Sequence, residues 1–207
     1  MTCIVSWIDC DGNTFMVGDT LTTFHSKHSY HVNSIGDTKI FKYDVYGNII
    51  LFGGSGNTND IDLLQNEILN IFFTYENLNV LNIQNKLPIY LNNVIGNKSI
   101  EDSAILLSLH GTIFNVRIIN SIIKCYINST RIETIGSGSG VFDIAFKTYL
   151  INEGHSINML KDKYMKDIDL FPAIKFAASI CKKHCMIVGD GDWIGYSSKA
   201  EEGTVII

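Results

Sequence analysis

The sequence is poor in charge, in proline and in cysteine that could pair. Charged residues make up only 18% of the 207 positions, and 21 acids against 16 bases leave a net charge of −5. That balance excludes the basic face on which nucleic-acid binding rests. Two prolines, Pro88 and Pro172, are too few for a polyproline segment or a Pro-rich linker. Cys3, Cys10, Cys125, Cys181 and Cys185 are an odd set without framework spacing. Reduced thiols in a cytoplasm are therefore expected, not a disulfide scaffold. No apolar run approaches the ~18 residues of a membrane span. The start, Met1-Thr2-Cys3-Ile4-Val5, has neither the basic nor the long apolar region of a secretion signal. What the chain does have is 46% hydrophobic residues, enough for a sizeable core. At ~150 residues per domain its length predicts one domain over 1–207.

The order of elements says more. Residues 2–9 are β-branched and aromatic, Asp11-Gly12-Asn13 breaks them, and Thr14 to Gly18 resumes the pattern as a hairpin. The polar stretch 20–36, with His25, His28 and His31, is expected to be a long loop. A second strand pair runs from Lys39 to Tyr43, turns at Tyr46-Gly47-Asn48, and continues from Ile49 to Phe52 until Gly53-Gly54-Ser55-Gly56 ends it. Ile61, Leu64, Ile68 and Ile71 then recur at helical spacing behind the capping candidates Asn57, Thr58 and Asn59. Residues 78–98 are expected to be helical in part, with Pro88 in a first turn. Ser103 to Leu109 and Thr112 to Ile119 flank a turn at His110-Gly111, and strands at Ile122–Ile127 and Arg131–Ile135 lead to Gly136-Ser137-Gly138-Ser139-Gly140. Val141 to Tyr149 begin a helix that stops at Gly154. A second helix is expected over roughly 169–183, with closing strands at Cys185–Val188 and Thr204–Ile207. Clustered strands and clustered helices predict an α+β fold, a four-layer α-β-β-α sandwich of two antiparallel sheets.

Several residues could carry chemistry. Removing Met1 before a residue as small as Thr2 would leave a threonine with a free α-amine of pKa ~7.7–8.0. Such an amine can take the proton of its own hydroxyl, so the nucleophile needs no histidine. Asp19 follows the strand at Val17-Gly18, where it would end beside the start of the first strand. Lys39 opens the next strand. A buried lysine beside the threonine oxygen favours the alkoxide, and an aspartate keeps that lysine charged. Gly53-Gly54 permits close backbone approach and could offer an N–H to an oxyanion.

Thr2-Cys3-Ile4-Val5-Ser6, Gly18-Asp19, Thr38-Lys39-Ile40, Phe52-Gly53-Gly54 and Ile135-Gly136-Ser137-Gly138 together resemble the proteasome β subunits. They are most similar to the bacterial two-component heat-shock peptidase that works with an ATP-dependent unfoldase. The order and spacing fit nearly the whole chain, and the resemblance implies the N-terminal nucleophile hydrolase fold. It implies Thr2 as nucleophile and base, Asp19 and Lys39 as the acid–lysine pair, Ser137 beside the amine, and the Gly53 N–H as oxyanion donor. Leu51 and Ser55 would border the pocket for the side chain preceding the cleaved bond. The function implied is a threonine-type endopeptidase acting on peptides or unfolded proteins, assembled as a homo-oligomeric ring with an unfoldase partner. The alternative is a catalytically silent subunit that keeps the fold for assembly. No cofactor is implied, although in the bacterial family a monovalent cation can bind carbonyls corresponding to Ala178, Cys181 and His184. Where proteasome subunits carry a second aspartate the register places Ser179, with Asp190 and Asp192 further on.

Other signals have plainer readings. His25, His28 and His31 have no cysteine or carboxylate partners at ligand spacing, and Cys181-Lys182-Lys183-His184-Cys185 lacks a second ligand pair. Gly136 to Gly140 has neither a P-loop lysine nor dinucleotide spacing. Cys3 would be a nucleophile only if Thr2 were removed as well.

Overall fold

The computed structural model describes residues 2–26, 29–35, 39–74, 79–96, 103–158, 168–185, 188, 191–199 and 204–207, with the backbone alone for 21–35. The first hairpin pairs β1 (Ile4–Ile8) with β2 (Thr14–Gly18), Ile4 opposite Gly18 and Ile8 opposite Thr14. β10 (Ile132–Ile135) flanks β1 on its other side. β2 is followed by β11 (Ile194–Ser197) and the edge strand β12 (Thr204–Ile206), so the sheet runs β10-β1-β2-β11-β12. The second sheet is a meander in chain order: β5 (Ile40–Val45), β6 (Asn48–Ser55), β7 (Ala104–Leu109), β8 (Thr112–Ile119) and β9 (Ile122–Ile127). The β7–β8 turn has φ of 50° at His110 and 65° at Gly111, and the β8–β9 turn 52° at Asn120 and 60° at Ser121. Two successive positive φ values mark type I′ turns, whose twist matches that of the strands they join.

α1 (Thr58–Thr74) and α2 (Val80–Ile95) cover the second sheet; α3 (Ser139–Asn152) and α4 (Phe171–His184) cover the first. Three apolar layers result. Leu64, Ile68, Leu87 and Leu91 pack against Phe52 and Phe114. Phe142, Phe146 and Ile174 pack against Val5, Trp7 and Val17. Ile4, Met16, Ile40, Leu51 and Leu106 fill the space between the sheets. The expected α-β-β-α sandwich is the observed fold.

Four local expectations are corrected. Residues 21–35 form a separate hairpin, β3 (Leu21–Ser26) with β4 (Ser29–Ile35), not a long loop. Thr22-Thr23-Phe24 and Tyr30-His31-Val32 have strand propensity, and polarity does not argue against a ribbon outside both main sheets. α2 runs unbroken through Pro88, which is interior and not in the first turn. Asn79 caps the helix by accepting the Asn82 N–H at 2.9 Å, and Asn92 ties it to β9 through both the N–H and the C=O of Ile123. Tertiary ties of this kind offset the bond that a proline removes. β6 continues through Gly53 and Gly54 to Ser55. Of the strand expected at Cys185–Val188, Cys185 caps α4 and Val188 is not in a strand, residues 186 and 187 lying outside the described ones; the sheet is joined by Ile194–Ser197. Gly195 lets β11 approach β2 closely, since a Cβ there would lie 1.8 Å from the Met16 carbonyl oxygen.

Candidate active site

Thr2 and Cys3 prolong β1 toward the ends of two other strands. The Cys3 carbonyl accepts the Asp19 N–H at 3.1 Å, just past β2, and the Thr2 carbonyl accepts the Gly138 N–H at 3.2 Å, just past β10. Gly136 makes this approach feasible. It has φ +99°, and a Cβ there would stand 2.0 Å from the Thr2 carbonyl oxygen. At Gly138 a Cβ would lie 2.6 Å from Val188 and 2.9 Å from Cys3. The glycines of 136–138 thus have a packing cause in the backbone that holds Thr2.

Thr2 is buried, and its N–H donates to Ser137 Oγ at 3.3 Å. Because Met1 precedes it, this nitrogen is a peptide N–H standing where a free α-amine would be after Met1 is removed. Asp19 is fully buried. Its Oδ1 accepts the Cys3 N–H at 2.8 Å, and Lys39 Nζ reaches Oδ1 at 3.1 Å and Oδ2 at 3.0 Å. One carboxylate therefore fixes both the backbone beside Thr2 and the lysine ammonium. Burial pulls the Lys39 ammonium below its ordinary value, and the charge and hydrogen bonds of Asp19 pull it back.

That balance makes Asp19→Asn a sharp test of the pair. The folded pKa of Lys39 lies below the ordinary 10.5. Its stability contribution is thus fully present above the unfolded value and lost as pH falls through the folded one. Removing the carboxylate enlarges the deficit, so Asp19→Asn is expected to cost about 3 kcal/mol at pH 7. Urea unfolding at rising pH should show that deficit shrinking toward the unfolded lysine value; a pH-independent deficit would mean the pair is not coupled to Lys39.

The remaining expected residues fall as follows. Gly53 lies within β6, opposite Ile40 on one flank and Leu106 on the other, so its N–H lies in the ladder plane. A Cβ there would meet Met16 Sδ at 2.8 Å and Ile40 Cδ1 at 2.9 Å, which is a packing reason for glycine. Leu51 is fully buried between the sheets and is not in the lining of the cavity that Ser55 borders. Ser55 is partly buried and lines a cavity of about 420 Å³ together with Gly56, Ser103, Arg117, Gly136 and Ser139. Ser179 is exposed on α4 and donates its hydroxyl to its own helix at Phe176 O, 2.7 Å away, so it does not stand in for a buried acid. Asp192 is exposed, 4.0 Å from Lys182. Met1, Asp190 and His28 lie outside the described residues, as do the side chains of His25 and His31. The Cys181 carbonyl accepts the Cys185 N–H at 2.9 Å at the end of α4. No cluster of three His, Cys, Asp or Glu side chains among the described residues is placed for a metal ion.

Cys3 is fully buried beside Cys181. The hydrogen bond to Cys181, then burial, push its thiol pKa up, the opposite of what a cysteine nucleophile needs. The sequence reading missed Arg117, Asn115 and Glu133, which meet between β8 and β10. Arg117 Nε donates to Asn115 Oδ1 at 3.0 Å, and Asn115 Nδ2 donates to Glu133 Oε1 at 2.8 Å. No local motif marks them, because strands that are distant in the sequence bring them together.

Neither a family model nor a curated protein matches the chain. Solved structures do. Eukaryotic HslV from Trypanosoma brucei superposes with a TM-score of 0.64 at 14% identity, over 94% of this chain and 98% of that one. The chain has the proteasome-type N-terminal nucleophile hydrolase fold. BPH from Thiobacillus denitrificans, solved in complex with epoxomicin, gives 0.57 at 12% identity over 98% of this chain and 100% of its own. Anbu, an ancestral β-subunit from Yersinia bercovieri, gives 0.58 at 15% over 100% of this chain and 87% of its own. Identities this low speak to the shared fold; the site must be argued from its own residues.

Proposed function

We propose that the chain is a threonine-type endopeptidase once Met1 is removed, acting on peptides or unfolded proteins. The observation that carries this reading is the buried Lys39–Asp19 pair fastened to the backbone next to Thr2. Taking two charges out of water is costly, and close pairing offsets that cost without making the pair a favoured packing element. An ammonium held by the carboxylate that fastens the backbone next to Thr2 has a chemical use in this reading, to favour the threonine alkoxide.

In the proposed reaction the α-amine of Thr2, oriented by Ser137, takes the Oγ proton. The oxygen attacks the peptide carbonyl, and the Lys39 charge lowers the cost of the developing alkoxide. The amine then delivers the proton to the leaving nitrogen, and an ester on Thr2 remains. Water, deprotonated by the same amine, attacks that ester and releases the acid, which restores Thr2. The Gly53 N–H is the proposed oxyanion donor. Ser55, which the resemblance assigns to the pocket before the cleaved bond, lines the cavity that Gly136 also borders. An open site of this chemistry would threaten cell proteins, so assembly as a homo-oligomeric ring fed by an ATP-dependent unfoldase belongs to the proposal.

An epoxyketone tests it directly, because the reagent needs both hydroxyl and free amine to close its ring adduct. Mass spectrometry should find the processed chain carrying one adduct on Thr2. A processed chain that takes up no epoxyketone and cleaves no peptide would leave the silent subunit as the answer. That second reading is favoured by Ser179, which is exposed where a further acid was sought. Ser137→Ala should lower kcat by about tenfold with little change in Tm, since it removes an orienting partner and no core volume; an unchanged kcat would remove Ser137 from the site.

A further inference from the structure

The cavity of about 420 Å³ has in its lining Gly136, the glycine that backs Thr2. Gly136, whose Cβ position would lie 2.0 Å from the Thr2 carbonyl oxygen and 3.1 Å from Ser55 Oγ, forms the shared wall. Lys39 and Asp19 are not among its lining residues. The side on which it lies has a chemical meaning. In acyl transfer the base returns its proton to the leaving amine, so the leaving part of the substrate must lie within reach of that base. Here the base would be the Thr2 nitrogen, and Ser137, the residue after Gly136, holds it. The cavity is therefore on the leaving-group side.

Its lining has two characters. Ala104, Ile119 and Ile135 give apolar walls, while Ser55, Ser103 and Ser139 bring hydroxyl groups and Arg117 a guanidinium. Among the described residues Arg117 is the one cationic residue of the lining, and its side chain is 47% exposed. Among the described residues its partners engage Nε, at Asn115, and Nη2, at a single Glu133 oxygen 3.5 Å away that also accepts from Asn115. A guanidinium has five donors in a planar fork, so this loose contact leaves room for a second carboxylate. The volume admits a whole side chain.

Resting on the threonine-peptidase reading, we infer that this cavity receives the side chain of the substrate residue that follows the cleaved bond, and that Arg117 selects an acidic one. Methylenes of a glutamate lie along the isoleucines, and its carboxylate meets the guanidinium and the serine hydroxyls.

Internally quenched peptides that carry Glu, Gln or Lys after the scissile bond test this. The processed protein should show kcat/KM about tenfold higher for Glu than for Gln, as expected where a charged hydrogen-bonding group is read. In Arg117→Ala the Glu:Gln ratio should fall to about one, and in Arg117→Glu the preference should pass to Lys. A wild-type ratio of one, or a ratio unmoved by Arg117→Ala, overturns the inference. Binding to the processed Thr2→Ala protein separates this from the reading beneath it. Calorimetry should give Glu-Ala-Ala-Ala-amide about a tenfold lower Kd than Gln-Ala-Ala-Ala-amide, again lost in Arg117→Ala. That preference without any wild-type turnover keeps the subsite and removes the peptidase. Turnover without the preference, or no binding of the Glu peptide at millimolar concentration, keeps the peptidase and removes the subsite.

Discussion

Thr2→Ala and Lys39→Ala are each expected to abolish turnover of internally quenched peptides, a fall of about 10³-fold or more in kcat. Thr2→Ala removes the proposed nucleophile outright. Lys39→Ala removes the charge proposed to favour the alkoxide, and leaves Asp19 with the Cys3 N–H among the described partners. Lys39→Arg should fail as well, because a guanidinium spreads its charge and needs more room than Lys39 Nζ occupies at 3.0 Å from Asp19. None of the three should abolish folding, since each alters a polar group at the edge of the core layers. In the wild type, kcat/KM should rise through roughly pH 7 to 8 as the amine loses its proton. Full activity in Lys39→Ala would show that the pair has a structural role alone.

The second large effect is expected at Gly136. Alanine there meets two obstacles at once. A φ of +99° is strained for any residue with a Cβ, and that Cβ would stand 2.0 Å from the Thr2 carbonyl oxygen. The neighbour is backbone, so no side-chain rotation relieves the contact. The chain must move Thr2 away from β10, with loss of the 3.2 Å bond from the Gly138 N–H. Gly136→Ala is expected to lose about 3 kcal/mol of stability by urea unfolding and to lose peptide turnover with it. Gly140, with nothing within 4 Å of its Cβ position, is the control: alanine there should change neither stability nor turnover measurably. Equal effects at the two positions would refute the packing cause assigned to Gly136.

The layer order was legible because each element carried its own period. Ile61, Leu64, Ile68 and Ile71 could belong only to a helix with one buried face, and Thr14 to Gly18 only to a strand. The α2 helix was not fully legible, since Pro88 reads locally as a helix start and the ties that override it come from Ile123, on another element. The hairpin at 21–35 was hidden by its polarity, and β11 by its shortness and its central Gly195. Within the site, Thr2, Asp19, Lys39 and Ser137 could be proposed because each stands at a strand end, where register alone fixes its neighbours. Leu51, expected beside the substrate by resemblance, is fully buried between the sheets. Arg117 and the cavity it lines depend on β8 facing β10 across the sandwich. No window of sequence contains both.

The bond between the Thr2 nitrogen and Ser137 joins residues 135 positions apart, and this sets a schedule for maturation. At ~5–20 residues per second of synthesis, Thr2 waits on the order of ten seconds for its partner to exist. During that interval the start of the chain has neither β10 nor the Gly136–Gly138 turn to bury it. Afterwards Thr2 is only 7% exposed, which hinders an aminopeptidase that must grip the residue it uncovers. On the proposed processing, removal of Met1 is an event of the nascent chain, and folding itself closes the window. Chains that lose the race would stay silent for good, so a single gene could supply both active and inert copies in proportions set by translation speed.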